Sequence, residues 1–207
     1  MFDDRTDAGT QLGSLVAREG VDADVVLAIP RGGLPIGRPV ADALDVPLDV
    51  VVAKKLGAPG NPELAIGAVG ADGSVWLNDD LIEQIGVGET YLEAEQERKS
   101  EAAREKERQY RGEGQIPAVE GKRVLVVDDG VATGATTIAC LRQVKKAGAS
   151  YVALAVPVGS PSSIEGLRGE ADDVFCLETP FQFGAVGQFY RVFDQVPDEV
   201  AKTYLEE

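Results

Sequence analysis

Runs of Val, Ile, Leu and Ala alternate with helical segments along most of the 207 residues, and nothing else in the chain constrains its fold as tightly. V25-V-L-A-I29 reads as a strand, followed by P30-R-G-G33 and a helix through L34-P-I-G-R-P-V-A-D-A-L44. L48-D-V-V-V-A53, A65-I-G-A-V69, S74-V-W-L77, V124-L-V-V127, Y151-V-A-L-A-V156 and D173-V-F-C-L177 read as further strands. Continuous apolar runs suit strands covered on both faces, so the pattern predicts an α/β fold: a mostly parallel sheet between two layers of helices. No repeat and no Pro/Gly/Ser-rich linker interrupts the chain, which predicts a single domain over residues 1–207. In such sheets ligands bind at the carboxyl ends of strands. The Gly-rich turns after Ile29 and after Val127 both fall at ends of this kind.

The second of these turns carries the strongest chemical signal. In V124-L-V-V-D-D-G-V-A-T-G-A-T-T137, an apolar strand runs into two adjacent carboxylates and then into a small, hydroxyl-rich loop that leads into a helix. Backbone N–H groups at a helix N-terminus carry about half a positive charge and bind phosphate. Thr133, Thr136 and Thr137 add hydroxyl donors, while Gly130 and Gly134 let the backbone approach closely. No G-K-[ST] follows, so this is not a Walker loop, and no G-x-G-x-x-G follows a strand. Asp128 and Asp129 cannot hold the phosphate; they must hold something neutral or positive beside it. A vicinal sugar diol fits, because carboxylates only accept hydrogen bonds and hydroxyls donate them. A magnesium ion or a sugar carbon acquiring positive charge would also be stabilised there. Phosphate on one side and a diol on the other describe a 5-phosphorylated ribose.

With these residues in place, D128-D-G-V-A-T-G-A-T136 resembles the phosphoribosyl-pyrophosphate (PRPP) binding motif of type I phosphoribosyltransferases. The resemblance implies that family's Rossmann-like fold, with a small hood and a helical lid insertion. Residues Gly130, Val131, Ala132, Thr133, Gly134, Ala135, Thr136 and Thr137 are then expected to bind the 5-phosphate. Asp128 and Asp129, with Arg31, become the candidate catalytic residues, and the two acids are possible magnesium ligands, partly through water. A28-I-P-R-G-G33 looks like the family's pyrophosphate loop, with the backbone amides of Arg31, Gly32 and Gly33 facing the pyrophosphate. Lys54 and Lys55 resemble the basic residues that family members place near it. K54-K-L-G-A-P-G-N-P-E-L-A-I-G67, together with E178-T-P-F-Q-F-G-A-V-G-Q-F-Y190, looks like a branch of predicted phosphoribosyltransferases without an assigned acceptor.

What the resemblance implies is Mg²⁺-dependent displacement of pyrophosphate from carbon 1 of PRPP by a nitrogen acceptor, a nucleobase or another small molecule, in nucleotide salvage. A PRPP-sensing regulator of the same fold is the alternative. The hypoxanthine-guanine enzymes carry an aspartate at the position of Ala132, which disfavours a 6-oxopurine acceptor. The segment 178–195 is expected to form the hood that holds the acceptor, since F181-Q-F-G-A-V-G-Q-F-Y-R-V-F193 holds five of the chain's twelve aromatic residues. Phe181 and Phe183 are the stacking candidates there; base–aromatic stacking is worth about 1–3 kcal/mol. Family members are commonly dimers, and a homodimer is expected.

Residues 89–112 differ from the rest. E89 to R111 contains seven glutamates and six basic residues, and i,i+4 pairs such as Glu95 with Lys99 predict a helix polar nearly all round. It reads either as a solvated spacer or as a locally basic lid over an anionic substrate.

Composition narrows the chemistry further. There is no histidine, which excludes Ser-His-Asp and Cys-His catalysis and His-ligated metal sites. Cys140 and Cys176 have no metal or disulfide spacing and read as structural thiols. The acidic start M1-F-D-D-R-T-D7 is unlike a signal peptide, and no apolar run approaches 18 residues, so a cytoplasmic protein away from membranes is expected. The formal charge of −15, from 35 acidic against 20 basic residues, argues against nucleic-acid binding. It suits a halophilic setting, because molar salt shortens charge repulsion to about 3 Å.

Overall fold

The computed structural model describes residues 1–111 and 118–206. Five strands form a parallel sheet in the order β2-β1-β6-β7-β8: β1 (Val25–Ala28), β2 (Leu48–Val50), β6 (Arg123–Val127), β7 (Tyr151–Val158) and β8 (Asp173–Glu178). Their alternation assigns each side chain to a layer. Val25, Leu27, Val124, Val126, Val152 and Leu154 enter one core, which α5 (Ala135–Lys146) and α6 (Pro161–Leu167) close through Ile138, Leu141, Ile164 and Leu167. Val26, Ala28, Leu125, Val127, Ala153 and Ala155 enter the other core. There α1 (Arg5–Arg18) supplies Leu12 and Val16, α2 (Gly33–Leu44) supplies Leu34, Ile36 and Val40, and α7 (Asp198–Glu206) supplies Ala201. The α/β fold with a mostly parallel sheet and helices on both faces is therefore as expected, each fully buried aliphatic side chain contributing about 1.5–3 kcal/mol.

Two of the expected parallel strands belong elsewhere. β3 (Ala53–Ala58), β4 (Asn61–Gly70) and β5 (Val75–Leu77) form a separate antiparallel sheet. Only Pro59 and Gly60 join β3 to β4, and a parallel crossover needs a dozen or more residues. The run Leu48–Ala53 likewise splits: β2 ends at Val50, and β3 begins at Ala53.

α3 (Asp79–Ile85) leads into α4 (Glu89–Arg111), which lies along this second sheet. It is not solvated all round, because Glu95, Ser100, Ala103, Glu107 and Tyr110 are buried. Polar contacts hold that stripe in place. Ser100 Oγ donates to the Gly70 carbonyl at 3.1 Å, Arg104 Nε to Ala71 at 2.8 Å, and Gln143 Nε2 to Glu107 at 3.0 Å. Residue 112, the end of the expected lid segment, lies outside the described residues. Cys140 is buried and Cys176 half-buried, and both are free thiols. Among the described residues no helix is long and apolar enough to cross a membrane.

Candidate active site

The loop Gly130–Thr137 leaves β6 and turns into α5, whose first turn starts after Gly134 at φ 79°, a left-handed conformation that favours glycine. Its first half is pinned to the end of β7. The Val131 amide donates to the Val158 carbonyl at 2.9 Å, and the Ser160 amide to Val131 at 3.0 Å. Ser163 Oγ and Ser160 Oγ, at the start of α6, both donate to the Ala132 carbonyl, at 2.6 and 3.1 Å. The fixed loop walls a cavity of about 160 Å³, lined by all of Gly130–Thr137 together with Lys55, Asp128 and Val186. This is an anion-sized pocket with amides, hydroxyls and one ammonium in its wall.

A second cavity has a volume of about 520 Å³. Arg31 and Gly32, from the turn after β1, line it with Arg5, Lys54, Lys106 and Gln195. Four cations around one cavity contrast with the chain's net charge of −15. They crowd each other. Burial, and then the charges of Lys106 and Lys99, push the Lys54 ammonium below its ordinary pKa. The Pro30–Arg31 peptide is cis.

The expected residues of the first turn do not all face this cavity. The Gly33 amide donates to the Ile29 carbonyl at 3.0 Å, so it is not available to an anion. Gly33 begins α2 against the end of β6, where an added Cβ would stand 2.9 Å from the Val127 carbonyl oxygen. Gly32 is different: any side chain there would collide with the carboxylate of Asp129. The absence of a Cβ lets the pyrophosphate-loop candidate and the second acid lie against each other.

Asp128 lines the first cavity, and Asp129 lies against Arg5 and Gly32 of the second. Asp128 Oδ1 accepts from the Asp129 amide at 2.8 Å. Asp129 Oδ2 accepts from Arg5 Nε at 2.8 Å, in an ion pair whose side chains are only 12% and 16% exposed. Among the described residues no hydrogen bond is made to the remaining oxygen of either acid, which leaves one free acceptor on each. Burial, and then the charge of Asp129, hold the Asp128 carboxyl well above the usual carboxylate range. Burial also raises Asp129, against the opposing pull of Arg5. A buried acid pair of this kind is stabilised by a hydrogen-bond donor or a positive partner.

Neither Phe181 nor Phe183 lines either cavity. Phe181 is 98% exposed, and Phe183 packs on Phe189 with ring centroids 5.1 Å apart. The segment that holds them turns at Val186–Phe189, where Gln188 Oε1 accepts from the amides of Gly184 and Ala185. From residues 178–195, the side chain that reaches the Gly130–Thr137 cavity is Val186. Tyr190 reaches the acids from the same segment and donates its hydroxyl hydrogen to the Asp129 carbonyl at 2.6 Å.

Sequence reasoning missed Arg5, Lys106, Val186 and Tyr190. Arg5 lies in an acidic segment, Lys106 in a helix rich in both charges, and Val186 among small residues; no spacing marks any of them. Tyr190 could have been suspected from the aromatic density of residues 181–193.

Among the described residues no cluster of three or more acidic, cysteine or histidine side chains could hold a metal by itself. The acid pair still fits magnesium, which is commonly held by one or two carboxylates with substrate phosphates and water completing its shell.

The Phosphoribosyl transferase domain family matches residues 14–191. TT1426 from Thermus thermophilus is 41% identical, with a TM-score of 0.82 over 99% of this chain and 97% of that one. Proteins from two Mycobacterium tuberculosis strains, both carrying a provisional phosphoribosyl transferase name, are 44% identical over the whole chain. The chain spans about half the length of those two relatives, 46% of each. An acid pair set beside a phosphate-sized loop and a cationic cavity, in a chain matched over most of its length, leads to one assignment: this chain belongs to the phosphoribosyl transferase domain family.

Proposed function

We propose that the chain transfers a 5-phosphoribosyl group from PRPP to a nitrogen acceptor and releases pyrophosphate. One observation carries this reading: Asp128 lines the Gly130–Thr137 cavity, Asp129 touches Arg5 and Gly32 of the cavity that holds Arg31, Lys54 and Lys106, and each acid keeps one oxygen without a hydrogen bond among the described residues. A ribose bound with its 5-phosphate in the loop would offer its vicinal hydroxyls to these oxygens and direct its pyrophosphate to the cations.

Each residue then has a task in the reaction. The C1–O bond to pyrophosphate breaks, its electron pair leaves with the pyrophosphate, and an N–C1 bond forms while the acceptor's proton passes to solvent. Asp128 and Asp129 hold the ribose hydroxyls and stabilise positive charge developing at the sugar ring. Arg31 and Lys54 stabilise the departing anion, and the loop amides with Thr133 and Thr136 fix the phosphate. Magnesium held by the acid pair and the pyrophosphate would neutralise charge on the leaving group. No strong base is required, which suits a chain without histidine. Loss of one such electrostatic contact typically costs about 10²–10³ in rate.

Gln195 and Val196 line the larger cavity beside its cations, and an acceptor would enter next to them; Phe181 lines neither cavity. The testing experiment is pyrophosphate release from PRPP with Mg²⁺ in molar KCl across a panel of nucleobases. Release that depends on one acceptor supports the transferase and names its substrate. Saturable PRPP binding with no release from any acceptor would favour a PRPP-binding regulator instead. Absence of PRPP binding would remove both.

A further inference from the structure

Arg5 carries the hydrogen bond from the N-terminal helix to the acid pair. Arg5, the first residue of α1, is held at three points. Nε donates to Asp129 Oδ2 at 2.8 Å, Nη1 donates to the Asp194 carbonyl at 2.8 Å, and the guanidinium lies 3.8 Å above the centre of the Phe193 ring. Both of the last two partners belong to the hood. Neighbouring backbone contacts bind the same two segments together. The Phe2 amide donates to the Phe189 carbonyl at 2.8 Å, and the amides of Arg191 and Val192 donate to Phe2 and Asp3, each at 2.9 Å. Arg5 is thus clamped between hood and helix before it meets Asp129, and its planar fork suits that geometry in a way an ammonium does not.

From this clamp we infer that Arg5 is a positioning residue: it fixes which oxygen of Asp129 faces the ribose site. With Oδ2 bonded to Arg5 and lying nearest Gly32, Oδ1 is the oxygen left free for the sugar. The main-chain carbonyl of Asp129 is fixed independently by Tyr190 Oη at 2.6 Å, so backbone and side chain have separate anchors. The inference rests on the acid pair being the ribose-binding element of the proposed transferase. Arg5 also borders the larger cavity, so a direct contact with pyrophosphate is the rival role, and the two are separable.

The experiment compares Arg5→Met and Arg5→Lys with the parent protein by calorimetry, using ribose 5-phosphate and Mg-PRPP as probes, and adds a crystal structure of each variant. Ribose 5-phosphate reaches the loop and the acids but carries no pyrophosphate. A positioning role predicts that Arg5→Met weakens both ligands by the same factor, at least about tenfold. A misplacement of about 1 Å can cost as much as 10²-fold. Arg5→Lys should recover part of the loss, and Arg5→Met should add little in an Asp129→Asn background, because the two residues act as a unit. Weakening of PRPP alone, or of neither ligand, would overturn the inference. If the parent protein binds neither probe, the transferase reading fails. The variant structures then decide the role of Arg5: Asp129 turned away from its present orientation supports it, and an unmoved carboxylate refutes it. Arg5→Lys keeps the test open if Arg5→Met does not fold.

Discussion

Lys54 and Lys55 are neighbours in β3 and serve different cavities: Lys54 lines the large cationic one, and Lys55 lines the phosphate-loop pocket. Successive side chains of a strand point to opposite faces, so one short strand supplies a cation to each end of the proposed substrate. Lys54→Met is therefore expected to weaken pyrophosphate binding while leaving ribose 5-phosphate affinity within a factor of about two. Lys55→Met is expected to do the reverse. Charge-assisted hydrogen bonds contribute about 1.5–3 kcal/mol, so losses of about 10- to 100-fold are expected in each case. Equal loss of both ligands in both variants would show that the cavities do not act as separate subsites.

Protons should be taken up when pyrophosphate binds. The Lys54 ammonium is held below its ordinary pKa by burial and by Lys106 and Lys99 around it. An anion placed among these cations stabilises the charged form and moves the pKa back up. Between the free and bound values, binding therefore adds a proton, and affinity rises as pH falls through the free value. Calorimetry at about pH 9, where an ordinary lysine is still almost wholly charged, in two buffers of different ionisation enthalpy would read this directly. The expected buffer dependence should vanish in Lys54→Met, and its persistence there would assign the proton to another group.

Asp129→Asn tests the centre of the proposed mechanism. The amide is nearly isosteric, and Arg5 retains the Asp194 carbonyl and the Phe193 ring, so the fold should be kept. Turnover should fall by about 10²–10³, the usual consequence of losing one electrostatic contact. Parent-level pyrophosphate release from a correctly folded Asp129→Asn would remove the acid from the mechanism.

The parts of the site that a continuous stretch of chain builds could be read from the sequence. Gly130–Thr137 forms one wall of one cavity because a strand, a turn and a helix N-terminus are consecutive, and local chemistry dictates all three. The apolar runs of β1, β6 and β7 likewise announce a sheet covered on both faces, since every one of their side chains meets a core. Long-range geometry was not legible. Arg5 is 124 residues from Asp129, and the packing of α1 on α2 together with the docking of residues 2–3 on residues 189–192 brings it there. The buried stripe of α4 escaped because Glu95, Ser100 and Glu107 occupy it, and a hydrophobic period cannot reveal a polar stripe satisfied by hydrogen bonds. The placement of Phe181 was not legible either: aromatic density predicts an apolar patch, but that ring is exposed.

The charge balance gives a prediction about solvent. With 35 acidic and 20 basic residues, the folded surface repels itself at low ionic strength, where the screening length reaches about 30 Å at 0.01 M and shrinks to about 3 Å at 1 M. Thermal unfolding should shift to lower temperature on dialysis from molar KCl into dilute buffer, and magnesium should restore part of the loss. Equal melting temperatures in the two conditions would argue that the acid excess is unrelated to a halophilic setting.

Glu107 should make stability fall as pH rises. It is 6% exposed, accepts from Gln143 at 3.0 Å and lies 3.4 Å from Arg111. Burial raises its carboxyl above the ordinary value, outweighing the opposing pull of Arg111 and Gln143. In the unfolded chain the group ionises near 4.5, while in the folded protein it holds its proton to higher pH. The native state thus binds more protons over that interval. The favourable contribution is complete below about 4.5 and is lost as pH climbs through the folded value. Glu107→Gln removes the ionisation while keeping an amide oxygen for Gln143. Arg111 is not stranded, since its Nε donates to Asp49 at 2.7 Å. Denaturant unfolding of parent and variant at a series of pH values should show the variant gaining relative stability above about 4.5 until the pH has passed the folded value. A difference independent of pH would mean that Glu107 ionises alike in the folded and unfolded chains.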